Sequence, residues 1–404
     1  METTLKAQLA LLDPRALKNG IFAIKKGYQI KLNTFSQTHV SNNSNSKGSL
    51  ILVTGANGYI ASNIVDLLLE LGYRVRGTVR EHKPWLTELF EKRHGKGCFE
   101  TVVTANMEEP GAFDDAMQDT AGVIHVVASI VFMNPDPSAV IPNVVRGTES
   151  ILTSASKHAA IKRFVLTSSS TAALIPKPNE KCTVTEGMYF AVAIASQEPV
   201  DPNLQLDTWN DDAVKAAWSE STPAAHKPYV VYAASKTEGE RAAWNWMREN
   251  KPHFVMNAVL PNVNYGRVLS PQMTASTMGL ARRLLQGDKT ALHLLPPQWY
   301  VDVQDTARLH VIGLLDPAVR DERLFAFAGP YNWTDVIQVF RRLRPQSKLP
   351  PAPENEGRDL SDVKPAKRAE QLLMDFFGLP GWTSLEDSLA DGIDGVGESD
   401  APGP

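Results

Sequence analysis

The segment Leu50 to Val53 is apolar at every position and runs through Thr54-Gly55-Ala56-Asn57-Gly58-Tyr59-Ile60-Ala61 into a stretch with Ile64, Leu67, Leu68 and Leu71 at helical spacing. A continuously apolar strand is buried on both faces, which calls for a parallel sheet covered by helices. A second strand, Arg74 to Arg80, completes a βαβ unit, and the crossover rules leave few ways to continue it. Further strands are predicted at Phe99 to Val103, Gly122 to Val127, Arg163 to Thr167 and His253 to Leu260, with helix-competent segments between them. The fold class is therefore α/β, a doubly wound parallel sheet. After Pro261 the alternation becomes irregular and prolines multiply, as in Leu294-Leu295-Pro296-Pro297, which predicts a smaller C-terminal lobe closing over the sheet's carboxyl edge.

The turn after the first strand carries chemistry. Gly55 permits the tight bend, Gly58 lets a pyrophosphate approach the backbone, and Ala61 allows the helix to pack closely on the strand. The helix N-terminus then offers amide donors and a partial positive charge to the phosphates, so a dinucleotide is expected. At the end of the second strand a carboxylate pairs with a ribose hydroxyl, whereas an arginine pairs with a 2′-phosphate. Here that end reads Gly77-Thr78-Val79-Arg80, with Lys83 on the same loop and Glu81 between them. The two cations favour NADPH over NADH. A solvated Arg80 is the alternative.

Far downstream, Tyr232 and Lys236 stand four apart in Tyr232-Ala233-Ala234-Ser235-Lys236. On a helix that spacing puts both on one face, where an ammonium stabilises an ionised phenol and makes tyrosine a usable acid. Lowering a phenol from near 10 by about two units takes roughly 2.7 kcal/mol of preferential stabilisation. The strand Arg163 to Thr167 runs into Ser168-Ser169-Ser170-Thr171 at the carboxyl edge, where ligands bind in such sheets. A serine there holds a substrate carbonyl, or else serves as a turn or helix cap.

The chain has 404 residues, room for two compact lobes, and 41 basic against 45 acidic side chains. So even a balance points away from nucleic acid and anionic membranes, toward a small neutral or weakly polar ligand. Cys98 and Cys182 belong to no CxxC or Cys/His cluster, so neither a metal site nor a disulfide framework is expected. The lone cysteines and the want of a long apolar run make the cytoplasm the expected location.

Residues 1–48 carry seven lysines or arginines against Glu2 and Asp13 and read as a disordered basic extension or, alternatively, a transit peptide. Residues 49–262 form the dinucleotide-binding domain, with an insertion near 178–227 containing the apolar patch Met188 to Ala195. The insertion is either a lid or a neutral inserted loop or gene-model error. Residues 263–390 form the smaller lobe, with strands and helices that can return to the sheet, and 391–404 a mobile tail. Trp299 and Tyr300 are read as pocket walls or, equally, as core.

The glycine turn Thr54 to Ala61, the run Arg163 to Ser170 and Val231-Tyr232-Ala233-Ala234-Ser235-Lys236 together resemble the extended short-chain dehydrogenase/reductases, and within them the dihydroflavonol 4-reductase-like proteins, particularly fungal NADPH-dependent aldehyde and ketone reductases. The resemblance covers roughly residues 49 to 390. It implies a Rossmann-type sheet with a substrate-binding lobe and an NADPH-dependent carbonyl reductase, with a place in secondary metabolism. Tyr232 matches the family's proton donor, Lys236 its ribose-binding and pKa-lowering partner, and Ser169 its carbonyl-orienting hydroxyl. Gly55, Asn57, Gly58, Tyr59 and Ile60 match the cofactor turn, Arg80 and Lys83 the 2′-phosphate site, and Val127, Ala128, Pro261 and Val263 the cofactor walls. Asn106 and Met107 stand where relatives carry an acidic residue against adenine. The 63 residues from Ser169 to Tyr232 exceed the usual separation. The expected protein is a monomer or homodimer acting on a small-molecule carbonyl substrate. An NAD(P)-dependent epimerase or dehydratase, or a catalytically silent dinucleotide-binding regulator, are the alternatives.

Overall fold

The structure, a computed structural model, describes residues 46–128, 134–185 and 209–394. Most of the 1–48 extension, the Met188 patch and the chain beyond Asp394 lie outside the described residues. The chain opens with β1 (Leu50–Val53), α1 (Tyr59–Glu70), β2 (Arg74–Val79), α2 (Pro84–His94), β3 (Phe99–Val103), β4 (Thr120–His125), α3 (Pro137–Ser156) and β5 (Arg163–Thr167). It continues with β6 (Thr183–Val184), α4 (Asp211–Trp218), α5 (Lys227–Asn250), β7 (Val255–Pro261), β8 (Val263–Tyr265), α6 (Ser276–Leu284), α7 (Thr290–Leu294) and β9 (Gln298–Asp302). The last elements are α8 (Val303–Leu315), β10 (Arg323–Ala326), β11 (Gly329–Tyr331), α9 (Trp333–Leu343), β12 (Asp362–Val363), α10 (Ala366–Phe377) and α11 (Leu385–Gly392).

Seven parallel strands form the main sheet in the order β10-β7-β5-β4-β1-β2-β3. The direction of winding reverses between β1 and β4, which leaves a crevice beyond their carboxyl ends. Side chains alternate between the two faces. Ile51 and Val53 of β1 and Val165 of β5 pack with α1 and α8. Leu52, Phe164 and Leu166 pack on the other side against Ile151 and Leu152 of α3 and Ala243 and Trp244 of α5. Both faces are dry, which is why these strands read as unbroken apolar runs.

The chain beyond Pro261 divides its residues between two bodies. β8, β9 and β11 make a small mixed sheet, and Tyr265, Met278, Leu284, Tyr331, Trp333 and Phe340 form a separate core under it. β10 and α8 instead go back to the main sheet, β10 pairing with β7 as its edge strand. Of the expected tail, Asp391 and Gly392 end α11, and Ile393 is buried while the Gly392 carbonyl accepts from Arg282.

At the amino rim, buried Arg163 collects the carbonyls at the C-terminus of α8. Its guanidinium donates to Leu314 at 3.3 Å, Gly313 at 3.1 Å, Val319 at 2.6 Å and to Asp316. Asn257 of β7 shares the task, donating to Gly313 at 2.8 Å and Val319 at 3.1 Å. A cation at a helix C-terminus is favoured by the helix dipole and satisfies carbonyls that have no helical partner.

Candidate active site

The start of α1 is built for close approach. Gly55 has φ +65°, and a Cβ placed there would lie 2.9 Å from the Val127 Cβ. The turn is held from β2: Gly55 N donates to Thr78 Oγ1 at 3.0 Å and Ala56 N to the Thr78 carbonyl at 3.0 Å. Gly58 is the N-cap residue, and no side chain caps the helix, so its first-turn amides face the crevice with their dipole. Thr54 Oγ1 accepts from Val126 N at 2.9 Å and Val127 N at 3.2 Å. With both lone pairs engaged, its own hydrogen goes to His125 Nδ1, 2.9 Å away. Burial and the nearby Lys236 ammonium press the His125 pKa down to about 3, so the ring stays neutral and pins the wall formed by Val126 and Val127.

Tyr232 and Lys236 lie on one face of α5 beneath the carboxyl end of β5. Ser169, just past that strand, accepts from Thr171 N at 3.2 Å and Thr171 Oγ1 at 2.9 Å. It is also hydrogen-bonded to the Tyr232 phenol, and since its acceptor positions are taken it is the donor there. Ser168 turns the other way, donating to Glu240 at 2.6 Å.

One expectation is corrected. The Tyr232 pKa lies above, not below, the ordinary phenol value, because burial raises it by more than the Ser169 hydrogen bond lowers it. Lys236 directs its ammonium to the Thr167 carbonyl at 3.0 Å, and burial draws its own pKa down to about 8 while Glu240 pulls it up.

A cavity of about 760 Å³ joins these pieces, lined by Gly55, Gly58, Tyr59, Ile60, Val127, Ala128, Ser169, Tyr232, Lys236, Pro261 and Val263 among the residues expected from the sequence. Tyr59 adds mainly backbone, since its hydroxyl reaches away to the Gly266 carbonyl at 2.8 Å. Asn57 is half-buried at the turn, outside the lining. Arg80 is exposed just past β2, and Lys83, the N-cap residue of α2, pairs with Glu81 at 2.9 Å. Both lie outside the cavity lining, at the end of the strand that neighbours β1. Asn106 is exposed and closes a local turn with Glu108 and Glu109, while Met107 packs toward Gly147 of α3.

Other lining residues carry no motif. Tyr229, one turn before Tyr232, stacks on it with ring centres 6.4 Å apart. Thr277, Leu280 and Arg283 form one face of α6 toward the cavity, while Met278, Ala281 and Leu284 face the core. Gln298 lines the cavity. Its neighbours do not: Trp299 donates to Ser361 at 3.0 Å and Tyr300 to the Thr383 carbonyl at 3.2 Å, both packed in core.

Residues 51–190 match the profile of the NAD dependent epimerase/dehydratase family. The chain is 42% identical over 347 residues to "Ketoreductase nvfG" of Aspergillus novofumigatus, covering 86% of this chain and 96% of that protein. It is 40% identical over 349 residues to "Aldehyde reductase 2" of Sporidiobolus salmonicolor, covering 85% and 95%. Among solved structures, yeast methylglyoxal/isovaleraldehyde reductase Gre2 complexed with NADPH superposes with a TM-score of 0.64 at 23% identity, over 85% of this chain and 97% of that one. At that identity the likeness is one of fold.

Proposed function

The chain belongs to the NAD dependent epimerase/dehydratase family, and from that membership we propose that it is an NADPH-dependent carbonyl reductase acting on an aldehyde or ketone. The observation that carries the reading is one cavity with an uncapped glycine-started helix at one end and Tyr232, Ser169 and Lys236 at the other. The residues suit a dinucleotide: Gly55 packs so close to Val127 that it leaves no room for a Cβ and keeps the turn bare, and the α1 amides suit a pyrophosphate. Gly55, Gly58, Tyr59 and Ile60 would hold it there through backbone, Val127 and Ala128 would line its passage beyond β4, Pro261 and Val263 would border the nicotinamide, and Lys236 would bind ribose. Arg80, with Lys83, would meet the 2′-phosphate.

Bound there, NADPH supplies the hydride that adds to the carbonyl carbon. Tyr232 would give its proton to the carbonyl oxygen as the carbonyl π pair moves there. Burial serves this direction by keeping Tyr232 protonated, which is the form the reduction consumes. The Tyr232 hydroxyl would hold the carbonyl where negative charge develops, and Ser169, fixed by Thr171, holds that hydroxyl in place. Leu280, Leu294 and Leu295 dry the opposite wall.

The test is NADPH oxidation across a panel of aldehydes, ketones and keto esters, with Tyr232→Phe in parallel. Turnover by the parent that collapses in the variant, with NADPH still bound, is expected. Undiminished turnover by the variant, or NADPH binding with no turnover across the panel, defeats the reading.

A further inference from the structure

Glu240 lies one helical turn beyond Lys236 on α5 and is fully buried. Three side chains converge on it. Ser168 Oγ donates to Oε2 at 2.6 Å, Arg323 Nε to Oε1 at 2.7 Å, and Trp244 Nε1 to Oε1 at 3.1 Å. Arg323 opens β10, and its guanidinium sits 4.2 Å from the Trp209 ring centre and 5.2 Å from that of Phe325, which close the pair off from water. Desolvating two charges is expensive, and packed apolar residues of the same volume commonly stabilise a fold as well or better. The placement of this ion pair therefore has to be judged by what it does to its neighbours.

Those neighbours are the catalytic groups. Ser168 adjoins Ser169, and its backbone N is already tied to the Val259 carbonyl at 2.8 Å, so the Glu240 bond fixes the side-chain end of the same corner. Facing the Lys236 ammonium are the Thr167 carbonyl of β5, His125 of β4, Tyr232 on its own helix, and Glu240. Of these only Glu240 is an anion.

We propose, resting on the reductase reading above, that Glu240 is a positioning residue: its carboxylate holds the Ser168-Ser169 corner against β5 and keeps Lys236 charged inside a dry site. Glu240 touches neither ligand nor Tyr232 and acts through Ser168 and Lys236. Its charge opposes the desolvation that lowers the Lys236 pKa.

Glu240→Gln keeps volume and an acceptor but removes the charge. Its kcat/KM against pH, with NADPH and whichever carbonyl compound of the panel the parent turns over, should lose its basic limb at a pH lower by about one unit. At pH 8 the loss should be about fivefold larger than at pH 6. A role in folding alone would scale activity by one factor at every pH, and that result overturns the proposal. Should Glu240→Gln not fold, Ser168→Ala removes the corner tie and leaves the ion pair intact. A kcat reduced about tenfold with KM and Tm near those of the parent is then expected, and an unchanged kcat overturns the proposal. Tyr232→Phe separates the two readings: if that variant turns over undiminished, the reductase mechanism fails, whereas a Tyr232-dependent enzyme with an unmoved basic limb in Glu240→Gln fails only here.

Discussion

In the proposed reduction, the proton would leave a phenol whose neutral form is secured by burial and whose oxygen already accepts from Ser169. Tyr232→Phe keeps the ring stack with Tyr229 but has no proton to give, so kcat should fall by about 10²- to 10⁴-fold while an NADPH titration changes little. Arg80, exposed at the end of β2, has a different test. Arg80→Ala should shrink the preference for NADPH over NADH by about tenfold or more, read from kcat/KM with each cofactor. Tyr232, Lys236 and Ser169 could be picked out in the sequence because a fixed spacing and a strand end place them. The partners that tune them could not, because they meet only in the fold. Thr54 and His125 are 71 residues apart, Ser168 and Glu240 72, and Glu240 and Arg323 83. The direction of the Tyr232 shift is hidden in the sequence for the same reason: spacing shows Lys236 on the same face, but not that its ammonium turns to the Thr167 carbonyl or that burial outweighs the Ser169 hydrogen bond.

Among the elements, the turn into α1 leaves the least freedom. Gly55→Ala places a methyl group in a left-handed backbone, costing about 1–2 kcal/mol, and drives it against Val127. A lower Tm together with NADPH affinity weakened by about tenfold or more is the expected outcome, measured by thermal melting and fluorescence titration. The first six strands of the main sheet were readable because an apolar run between turn residues means the same thing in every doubly wound sheet. β10 was not, since it is four residues long and follows a lobe of different construction. α6 shows a second kind of illegibility. Its Thr277, Leu280 and Arg283 face has the composition of a solvent face but lines the cavity, and nothing in an amphipathic pattern distinguishes a ligand from water.

For the molecule as a whole, two buried carboxylates drive stability in opposite directions with pH. Asp66 joins α1, α2 and the segment after β8 by accepting from Arg93 at 2.8 Å, His94 at 2.7 Å and Arg267 at 2.8 Å. Although burial alone would raise its pKa, these partners hold it far below the usual carboxylate range. Its contribution is present above the unfolded value of about 4 and is lost as pH falls through the folded value. Asp302 is raised to about 7, first by burial and then by Asp305, so what it adds is complete below about 4 and disappears as pH rises through about 7. Urea unfolding from pH 4 to 8 should show Asp302→Asn flattening the decline toward neutrality. Asp66→Asn should be markedly less stable than the parent at pH 7 and lose less on acidification. The Arg163 cluster lies at the opposite rim of the sheet from the cavity. The ties that fasten α8 through Arg163 and the groups proposed to perform the reaction are thus separate pieces of masonry, and evolution can recut the upper course for new carbonyl compounds while that footing stays as it was laid.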